Sequence, residues 1–421
     1  MTPRRVIGLE NWQEVIRWAF PRKASDVFWK PGNPPCAKIR GVVQRIDEFP
    51  VLTPDDTRNI AKSLMRPHVW ERFEEHHEQD IGLTVENCCR LRINCYAQRG
   101  DIAIVMRLIP LEIQTIEDLD LPPVLSEIAL YPQGMVLVTG PTGCGKSTTL
   151  AAMLDLINRK RHAHIVTIED PIEYVHRDKN CIVSQREVGI DTDDFGPALK
   201  YAMRQAPDVI LIGEMRDVVT MQVAMQAAET GHLVFSTVHT TSAAETMERI
   251  INMFPPHEKP QICLRMSTTL KAVISQSLVP RKDEPGRTAA LEIMVVTPTI
   301  AKLIEEGRPG EAYQYIEDGA HFGMQTKNQA LLKLYQEGKL SHEHAMFYAG
   351  NYTEMRQMLR RADGLAADAA KEEAEKAKKA AQQAAARQRM GGVPPPGQGS
   401  PSGPRPAGPG QPPAGPSRPS Q

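Results

Sequence analysis

No stretch of the sequence approaches the roughly 18 consecutive apolar residues that a membrane-spanning helix needs. The N-terminal segment carries polar side chains throughout, so it lacks the continuous apolar core of a signal peptide. These absences predict a cytoplasmic chain whose association with any membrane goes through a partner.

The sequence also has almost no net charge and few cysteines. The 50 lysines and arginines nearly balance the 51 aspartates and glutamates, which leaves no global positive field for non-specific nucleic-acid binding. We therefore expect no nucleic-acid partner. The seven cysteines stand at irregular positions that match neither a disulfide framework nor a paired Cys-x-x-Cys zinc site. This usage is typical of a reducing cytosol.

Composition divides the chain into five segments. Residues 1–111 mix short helical and strand-like patterns, which predicts a small N-terminal α+β domain. An acidic stretch before two prolines predicts a linker over 112–121. In 122–361, apolar runs alternate with amphipathic helices, as in an α/β fold with a parallel sheet. Residues 362–390, rich in Ala, Lys and Glu, predict a helical extension, and 391–421, with eleven of the 34 prolines, predict a disordered tail.

A glycine-rich loop follows the apolar run 135–138 in the α/β segment. It consists of Gly140, Pro141, Thr142, Gly143, Cys144, Gly145, Lys146, Ser147 and Thr148, which match a phosphate-binding loop. The glycines let successive backbone N–H groups point at one anion, and the following helix adds its positive N-terminus. Lys146 would reach the β- and γ-phosphates, and the Ser147 hydroxyl would be a ligand of Mg²⁺. The loop therefore predicts nucleotide binding.

Two other apolar strands end in carboxylates. One delivers Glu214 to the carboxyl edge of the predicted sheet, where ligands bind, so Glu214 is a candidate to orient or deprotonate the attacking water. The other ends at 169–173, where three acidic groups would repel one another unless a cation such as Mg²⁺ lay nearby. A helix-capping role for Glu214 and solvated loop carboxylates at 169–173 are the structural alternatives.

Histidines bracket the apolar strand 233–238. We expect His232 and His239 at the same edge of the sheet as the phosphate-binding loop, where each could hydrogen-bond a γ-phosphate or a water near it. Within the phosphate-binding loop, Cys144 allows a redox hypothesis, because a helix N-terminus lowers the pKa of a thiol. The backbone of the loop also explains a small residue there, and no resolving cysteine is near in sequence.

Taken together, these motifs resemble one family. The segments GPTGCGKST, TIEDPIEYVH, QREVG, DVILIGEMRD and AAETGHLVFSTVHTTSA, in this order, are similar to those of the secretion-superfamily hexameric ATPases. The closest branch is type IV pilus retraction, or twitching motility, called PilT/PilU, and the resemblance covers about residues 20–350. It implies a RecA-like P-loop NTPase domain with a PAS-like N-terminal domain, six chains in a ring, and ATP with Mg²⁺ as cofactors.

The resemblance also implies partners and residue roles. The ring would lie beneath the inner membrane, drive pilus disassembly through a platform protein of the PilC type, and in an accessory role work beside a paralogous retraction ATPase. Lys146 and Ser147 would hold phosphates and Mg²⁺, and Glu214 would be the catalytic glutamate of the Walker B strand. Glu169 would belong to the acidic box and serve Mg²⁺, and His232 and His239 would form the histidine box.

Arginines of the N-terminal domain reach the nucleotide across a domain or subunit boundary in this family, a task that suits a permanently charged, forked guanidinium. Arg92 and Arg107 are the catalytic candidates, with Arg90 and Arg99 beside them. Arg99 matches least, because the family has an arginine where this chain has Gly100.

One C-terminal segment departs from the family pattern. Retraction motors carry Ala-Ile-Arg-Asn-Leu-Ile-Arg-Glu there, whereas residues 299–306 read Thr-Ile-Ala-Lys-Leu-Ile-Glu-Glu. Ala301 and Glu305 replace the two arginines, and the second replacement inverts a charge that an acidic partner surface would require. This difference favours an accessory, PilU-like role as the alternative to the main motor.

Other functions stay open from the sequence. A pilus-extension or type II secretion ATPase usually carries a four-cysteine zinc insertion, which these isolated cysteines do not supply. A nucleic-acid translocase would show hydrolysis stimulated by nucleic acid, and the near-zero net charge argues against it. A GTPase would need a guanine-selecting Asn-Lys-x-Asp motif after the phosphate-binding loop, and the sequence has none there. A scaffold that binds ATP without hydrolysing it fits the presence of both Lys146 and Glu214 less well.

Overall fold

A computed structural model describes residues 11–39 and 41–390. The tail predicted at 391–421 lies outside the described residues. Thirteen strands are found in the described part of the chain: β1 Ala24–Trp29, β2 Cys36–Ile39, β3 Val42–Arg45, β4 Glu78–Val85, β5 Cys89–Gln98, β6 Asp101–Pro110, β7 Gly134–Thr139, β8 His164–Glu169, β9 Ile182–Glu187, β10 Val209–Ile212, β11 Leu233–Val238, β12 Leu270–Pro280 and β13 Arg287–Val295.

Fourteen α-helices accompany these strands in the same described ranges: α1 Trp12–Ala19, α2 Pro54–Leu64, α3 Pro67–His76, α4 Val124–Ala129, α5 Lys146–Lys160, α6 Phe195–Ala202, α7 Val218–Glu229, α8 Ala243–Asn252, α9 Lys259–Thr269, α10 Pro298–Glu305, α11 Ala312–Glu317, α12 Lys327–Gln336, α13 His342–Phe347 and α14 Tyr352–Met390. Short 3-10 turns follow α1 and precede α11 and α12.

The first sheet is antiparallel, with strand order β3-β2-β1-β6-β5-β4. Along β5, buried residues such as Leu91 and Ile93 alternate with partly exposed Arg90 and Arg92, so one face packs on the core and the other points outward. Helices α1 to α3 share that core. Helix α2 begins at a capping box in which Thr53 and Asp56 satisfy each other's backbone N–H groups.

The second sheet has strand order β13-β12-β7-β11-β10-β8-β9. Its strands from β12 to β9 run parallel, and β13 is the antiparallel edge. Strands β7, β10 and β11 are buried along their whole length because helices cover both faces, and each face has its own apolar core. The carboxyl ends of β7, β8, β10 and β11 therefore meet at one edge of this sheet.

The chain divides into two units between Leu359 and Arg360. Both sheets belong to the first unit, on either side of residues 112–121, which contain no helix or strand. The predicted domain limits at 111, 121 and 361 stay predictions. Helix α14 continues to Met390, and its residues 375–382 are exposed. In the described ranges, none of the helices combines the length and the apolar composition required to span a bilayer.

Candidate nucleotide site

The glycine-rich loop lies between buried strand β7 and helix α5, which begins at Lys146. Gly140 has φ +141°, and a Cβ there would lie 2.3 Å from the carbonyl oxygen of Gln276 and 2.6 Å from Sγ of Cys144. Gly145, the N-cap of α5, has φ +89°. Only glycine combines these backbone conformations with so little room, so the loop is built as the sequence predicts.

The loop is braced from inside the fold. Nζ of buried Lys146 donates to the carbonyls of Gly140 and Pro141 at 2.9 and 3.2 Å. Gln276 on β12 donates to the carbonyl of Cys144 at 2.8 Å and accepts from the Thr149 hydroxyl at 2.7 Å. Sequence reasoning missed Gln276, because a glutamine inside an otherwise apolar strand, 132 residues away, carries no local signal.

A cavity of about 530 Å³ opens at this edge of the second sheet. It brings together residues of the loop, of the strand ends after β8, β10 and β11, and of the N-terminal sheet. Its polar lining includes Thr142, Lys146, Ser147, Thr148, Glu169, Asp170, Glu173, Tyr174, Glu214, Arg216, His239, Arg107 and Arg287. The predicted loop, Glu169, Glu214 and His239 therefore lie around one cavity, while Arg216, Tyr174 and Arg287 are additions from the structure.

Glu214 follows β10 and lies between two basic side chains. Its Oε2 is 2.8 Å from Nη2 of Arg216, and its Oε1 is 3.3 Å from Nε2 of His239. Desolvation opposes ionisation, but the hydrogen bond and charge of Arg216, together with His239, bring the pKa of Glu214 below its ordinary value. The side chain is thus a carboxylate at neutral pH, the form that can accept a proton from water.

Glu169 ends β8 at the same cavity. The hydroxyl of Thr167 donates to its Oε1 at 2.6 Å, and the amide of Gln185 donates to the same oxygen at 3.0 Å. Desolvation nevertheless dominates these hydrogen bonds and raises the pKa of Glu169 to about 7. The charge of a nearby divalent cation would favour the ionised form of Glu169 and oppose this effect, which fits the predicted role of the acidic segment.

Ser147 and Glu169 line the same cavity, and a hydroxyl with a carboxylate is the oxygen donor set that Mg²⁺ prefers. In the described ranges, no three His, Cys, Asp or Glu residues form a cluster that could hold a metal by themselves. Such a cation would therefore take most of its remaining ligands from water and phosphate, as Mg²⁺ commonly does.

The predicted placement of His232 is wrong, whereas His239 lines the cavity as expected. His232 precedes β11 and His239 follows it, so the strand's six residues separate them. A strand of this length spans about 20 Å, so the two histidines cannot share an edge of the sheet. The ring of His232 instead contacts the carbonyl of Ala227, at 2.9 Å from Nδ1, at the opposite edge. Its predicted role toward nucleotide stays untested.

The four N-terminal arginines occupy different environments. Arg107 on β6 lines the cavity, and its Nε donates to Oδ1 of Asp26 at 3.1 Å while 62% of the side chain stays exposed. Arg92 pairs with Arg107 in the β5–β6 register, so both point to the same face, but Arg92 is absent from the cavity lining of the described chain. Arg90 binds Glu187, and Arg99 lies in the β5–β6 turn with φ +54°.

Cys144 does not have the activated thiol that the redox hypothesis requires. The side chain is buried, and desolvation raises its pKa even though Lys146 and backbone hydrogen bonds act in the opposite direction. The helix N-terminus therefore fails to lower the pKa of this thiol, because burial penalises the thiolate more strongly.

A phosphate-binding loop after β7, a carboxylate after β10, which lies two strands away, and a parallel sheet with β7 next to β11 and β12 define a RecA-like P-loop ATPase. The model of the family described as Type II/IV secretion system protein matches residues 13–394. The chain belongs to this family.

Curated relatives and a solved structure agree with this assignment. The chain is 40% identical over 358 residues to the type IV pilus ATPase PilU of Pseudomonas aeruginosa, covering 85% of this chain and 94% of that protein. It is 44% identical over 332 residues to the pilus retraction ATPase PilT of the same organism, covering 79% and 96%. The crystal structure of the pilus retraction motor PilT with bound ADP matches with a TM-score of 0.78 and 41% identity, covering 82% of this chain and 99% of that one.

Proposed function

We propose that this chain is a motor ATPase that powers the retraction of type IV pili. The observation that carries the proposal is one cavity that unites the phosphate loop, Glu169 and Glu214, in a chain spanning nearly the whole length of the PilT and PilU relatives. A scaffold that only binds ATP would need Lys146 to hold the phosphates, but it would not need a potential catalytic base such as Glu214 in the same cavity.

In the proposed reaction, the backbone of the loop and Lys146 hold the β- and γ-phosphates of ATP. Ser147 and Glu169 would hold Mg²⁺, which neutralises charge on the transferring phosphoryl group. Glu214 orients the attacking water and takes its proton, and His239 and Arg216 position the Glu214 carboxylate. Arg107 adds positive charge from the N-terminal sheet, and Arg92 would act on the site of a neighbouring chain.

The assembly that fits this chemistry is a homo-hexameric ring. An arginine such as Arg92, on the same sheet face as Arg107 yet outside its own chain's cavity, fits donation between subunits. We place the ring in the cytoplasm at the inner membrane, where it would act on a platform protein of the PilC type without a nucleic-acid partner.

A single substitution in the encoding bacterium tests the proposal. With labelled pili, chromosomal Glu214→Gln should leave pilus extension intact and abolish retraction events, because the variant binds ATP without turning it over. Glu74→Gln is the control, since Glu74 forms an exposed ion pair with Arg58, and this variant should retract its pili normally. Loss of extension in the Glu214 variant would instead indicate an extension ATPase.

An accessory role like that of PilU is the second candidate, supported by Ala301 and Glu305 in place of the family's arginines and by the longer alignment with PilU. Deleting the chain separates the two candidates. Loss of every retraction event identifies the main motor, whereas weakened retraction that still needs a second ATPase identifies the accessory.

A further inference from the structure

Arg90 connects the N-terminal sheet to the acidic segment 169–173. Its Nη2 donates to Oε2 of Glu187 at 2.8 Å, and its Nε donates to the carbonyl of Ile172 at 2.9 Å. The backbone N–H of Ile172 donates to the same Glu187 oxygen at 3.3 Å. One ion pair therefore holds both backbone polar groups of Ile172.

This pair is enclosed. Only 12% of the Arg90 side chain and 7% of the Glu187 side chain are exposed. A Cβ on Gly82 would lie 2.5 Å from Nη2 of Arg90 and 3.0 Å from Oε2 of Glu187, so the absent side chain at Gly82 makes room for the pair. Desolvation raises the pKa of Glu187 above its ordinary value, although the charge of Arg90 acts in the opposite direction.

Ile172, whose backbone is held by Arg90 and Glu187, lies within the acidic segment 169–173. Glu169, Asp170 and Glu173 line the nucleotide cavity on either side of this residue. Glu187 lies opposite Glu169 in the β8–β9 register, so the contact reaches the acidic segment at its base. A shift of β5 relative to the second sheet would therefore move the segment that presents three carboxylates to the nucleotide.

We propose that Arg90 and Glu187 are positioning residues that clamp the acidic segment 169–173 and couple it to the N-terminal sheet. The inference rests on the proposed ATPase function and deepens it. It also separates Arg90 from Arg92 and Arg107: two of its donors are already engaged inside its own chain, so Arg90 acts on the site in cis and through the backbone of Ile172.

Amide hydrogen exchange of the full chain without nucleotide tests the clamp directly. In Arg90→Gln, a peptide covering 169–175 should exchange about tenfold faster, while peptides of α5 keep their wild-type rates. Arg90→Lys should fall between the two, because an ammonium can pair with Glu187 but lacks the fork that also reaches Ile172. Arg58→Gln is the matched control, since it breaks an exposed ion pair elsewhere in the N-terminal half.

Steady-state kinetics give the second measurement. In Arg90→Gln, kcat should fall about tenfold, as is common when a residue supporting a ligand is lost, while KM for ATP changes less than about twofold because the phosphate loop is intact. Glu187→Gln, which keeps the shape and an acceptor oxygen, covers the case in which the Arg90 variant fails to fold.

Three outcomes would overturn the clamp: unchanged exchange at 169–175, acceleration spread over the whole N-terminal sheet, or an equal change in Arg58→Gln. Unchanged kcat in a folded variant would remove its catalytic consequence. A wild-type chain that hydrolyses no ATP would instead refute the proposed function, and the exchange data would still decide whether the clamp exists.

Discussion

Glu214 and Glu169 face the same cavity with opposite pKa shifts. Arg216 and His239 favour the ionised form of Glu214, whereas desolvation favours the protonated form of Glu169. Carboxylates separated in this way can take different roles, as a base and as a cation ligand.

Glu214→Gln tests the first role. The purified variant should bind nucleotide with an affinity within about threefold of wild type, because the loop is untouched, while phosphate release falls at least about a hundredfold through loss of the base. Fluorescent-nucleotide titration and a phosphate assay give the two numbers. Near-normal phosphate release would remove Glu214 as the base.

Glu169→Gln tests the raised pKa of Glu169 through the pH dependence of stability. Because the folded pKa of about 7 exceeds the ordinary 4.5, the folded protein keeps a proton that the unfolded chain releases. Wild-type stability without nucleotide should therefore fall as pH rises from 4.5 to 7, by up to about 3 kcal/mol. Glu169→Gln should lack this component in thermal unfolding between pH 5 and 8. An identical pH dependence in both proteins would contradict the raised pKa.

Residues in sequence motifs were largely predictable, and residues recruited by packing were not. Glu169 ends β8, and the loop, Glu214 and His239 each come after the end of a strand of the same parallel sheet, so a common edge brings them together. The prediction for His232 is wrong because His232 precedes β11 and His239 follows it, so the two histidines lie at opposite ends of the strand. Gln276 and the Arg90–Glu187 pair depend on contacts across long sequence separations, which no local pattern records.

At the scale of elements, strand β12 acts as a brace for the phosphate loop. Gln276 is almost fully buried and satisfies Cys144 and Thr149 at once. This contact ties the start of α5 to a strand that continues into the edge hairpin with β13.

Gln276→Ala should therefore loosen the loop without touching nucleotide. Two buried polar groups lose their partner, which we expect to lower the free energy of unfolding by about 1–3 kcal/mol and to weaken ADP binding about tenfold. Chemical denaturation and ADP titration measure the two effects. Wild-type ADP affinity in a destabilised variant would show that β12 supports the fold alone.

The elements themselves were well marked in the sequence. Apolar and polar residues alternate over 90–97 and 101–109, a pattern that predicts strands, and the structure has β5 and β6 there. The apolar residues Leu9, Trp12, Val15, Ile16 and Ala19 are spaced as one face of a helix; the last four form the buried face of α1, and Leu9 lies outside the described residues. The order of the strands in the second sheet cannot be predicted from the sequence, because a continuous apolar run shows that a strand is buried but not which strands lie next to it.

For the whole molecule, the question is whether Arg92 acts between chains. Arg92→Ala and Glu214→Gln should each be inactive alone. When equal amounts are mixed and reassembled, about a quarter of the sites should recover, since an intact Glu214 chain then receives Arg92 from its neighbour in a cyclic ring. A mixture that stays inactive would show that Arg92 works within its own chain, and an Arg92→Ala protein that is active alone would show that Arg92 has no catalytic role.

We propose that this chain self-assembles into an ATPase motor whose turnover does not depend on nucleic acid. Phosphate release per chain by the full-length protein, measured from dilute to concentrated solution with and without DNA, tests it most directly. A ring motor of this kind should show activity that rises with self-association and is unaffected by DNA. Activity that stays absent at every concentration, or that depends on DNA, would contradict it.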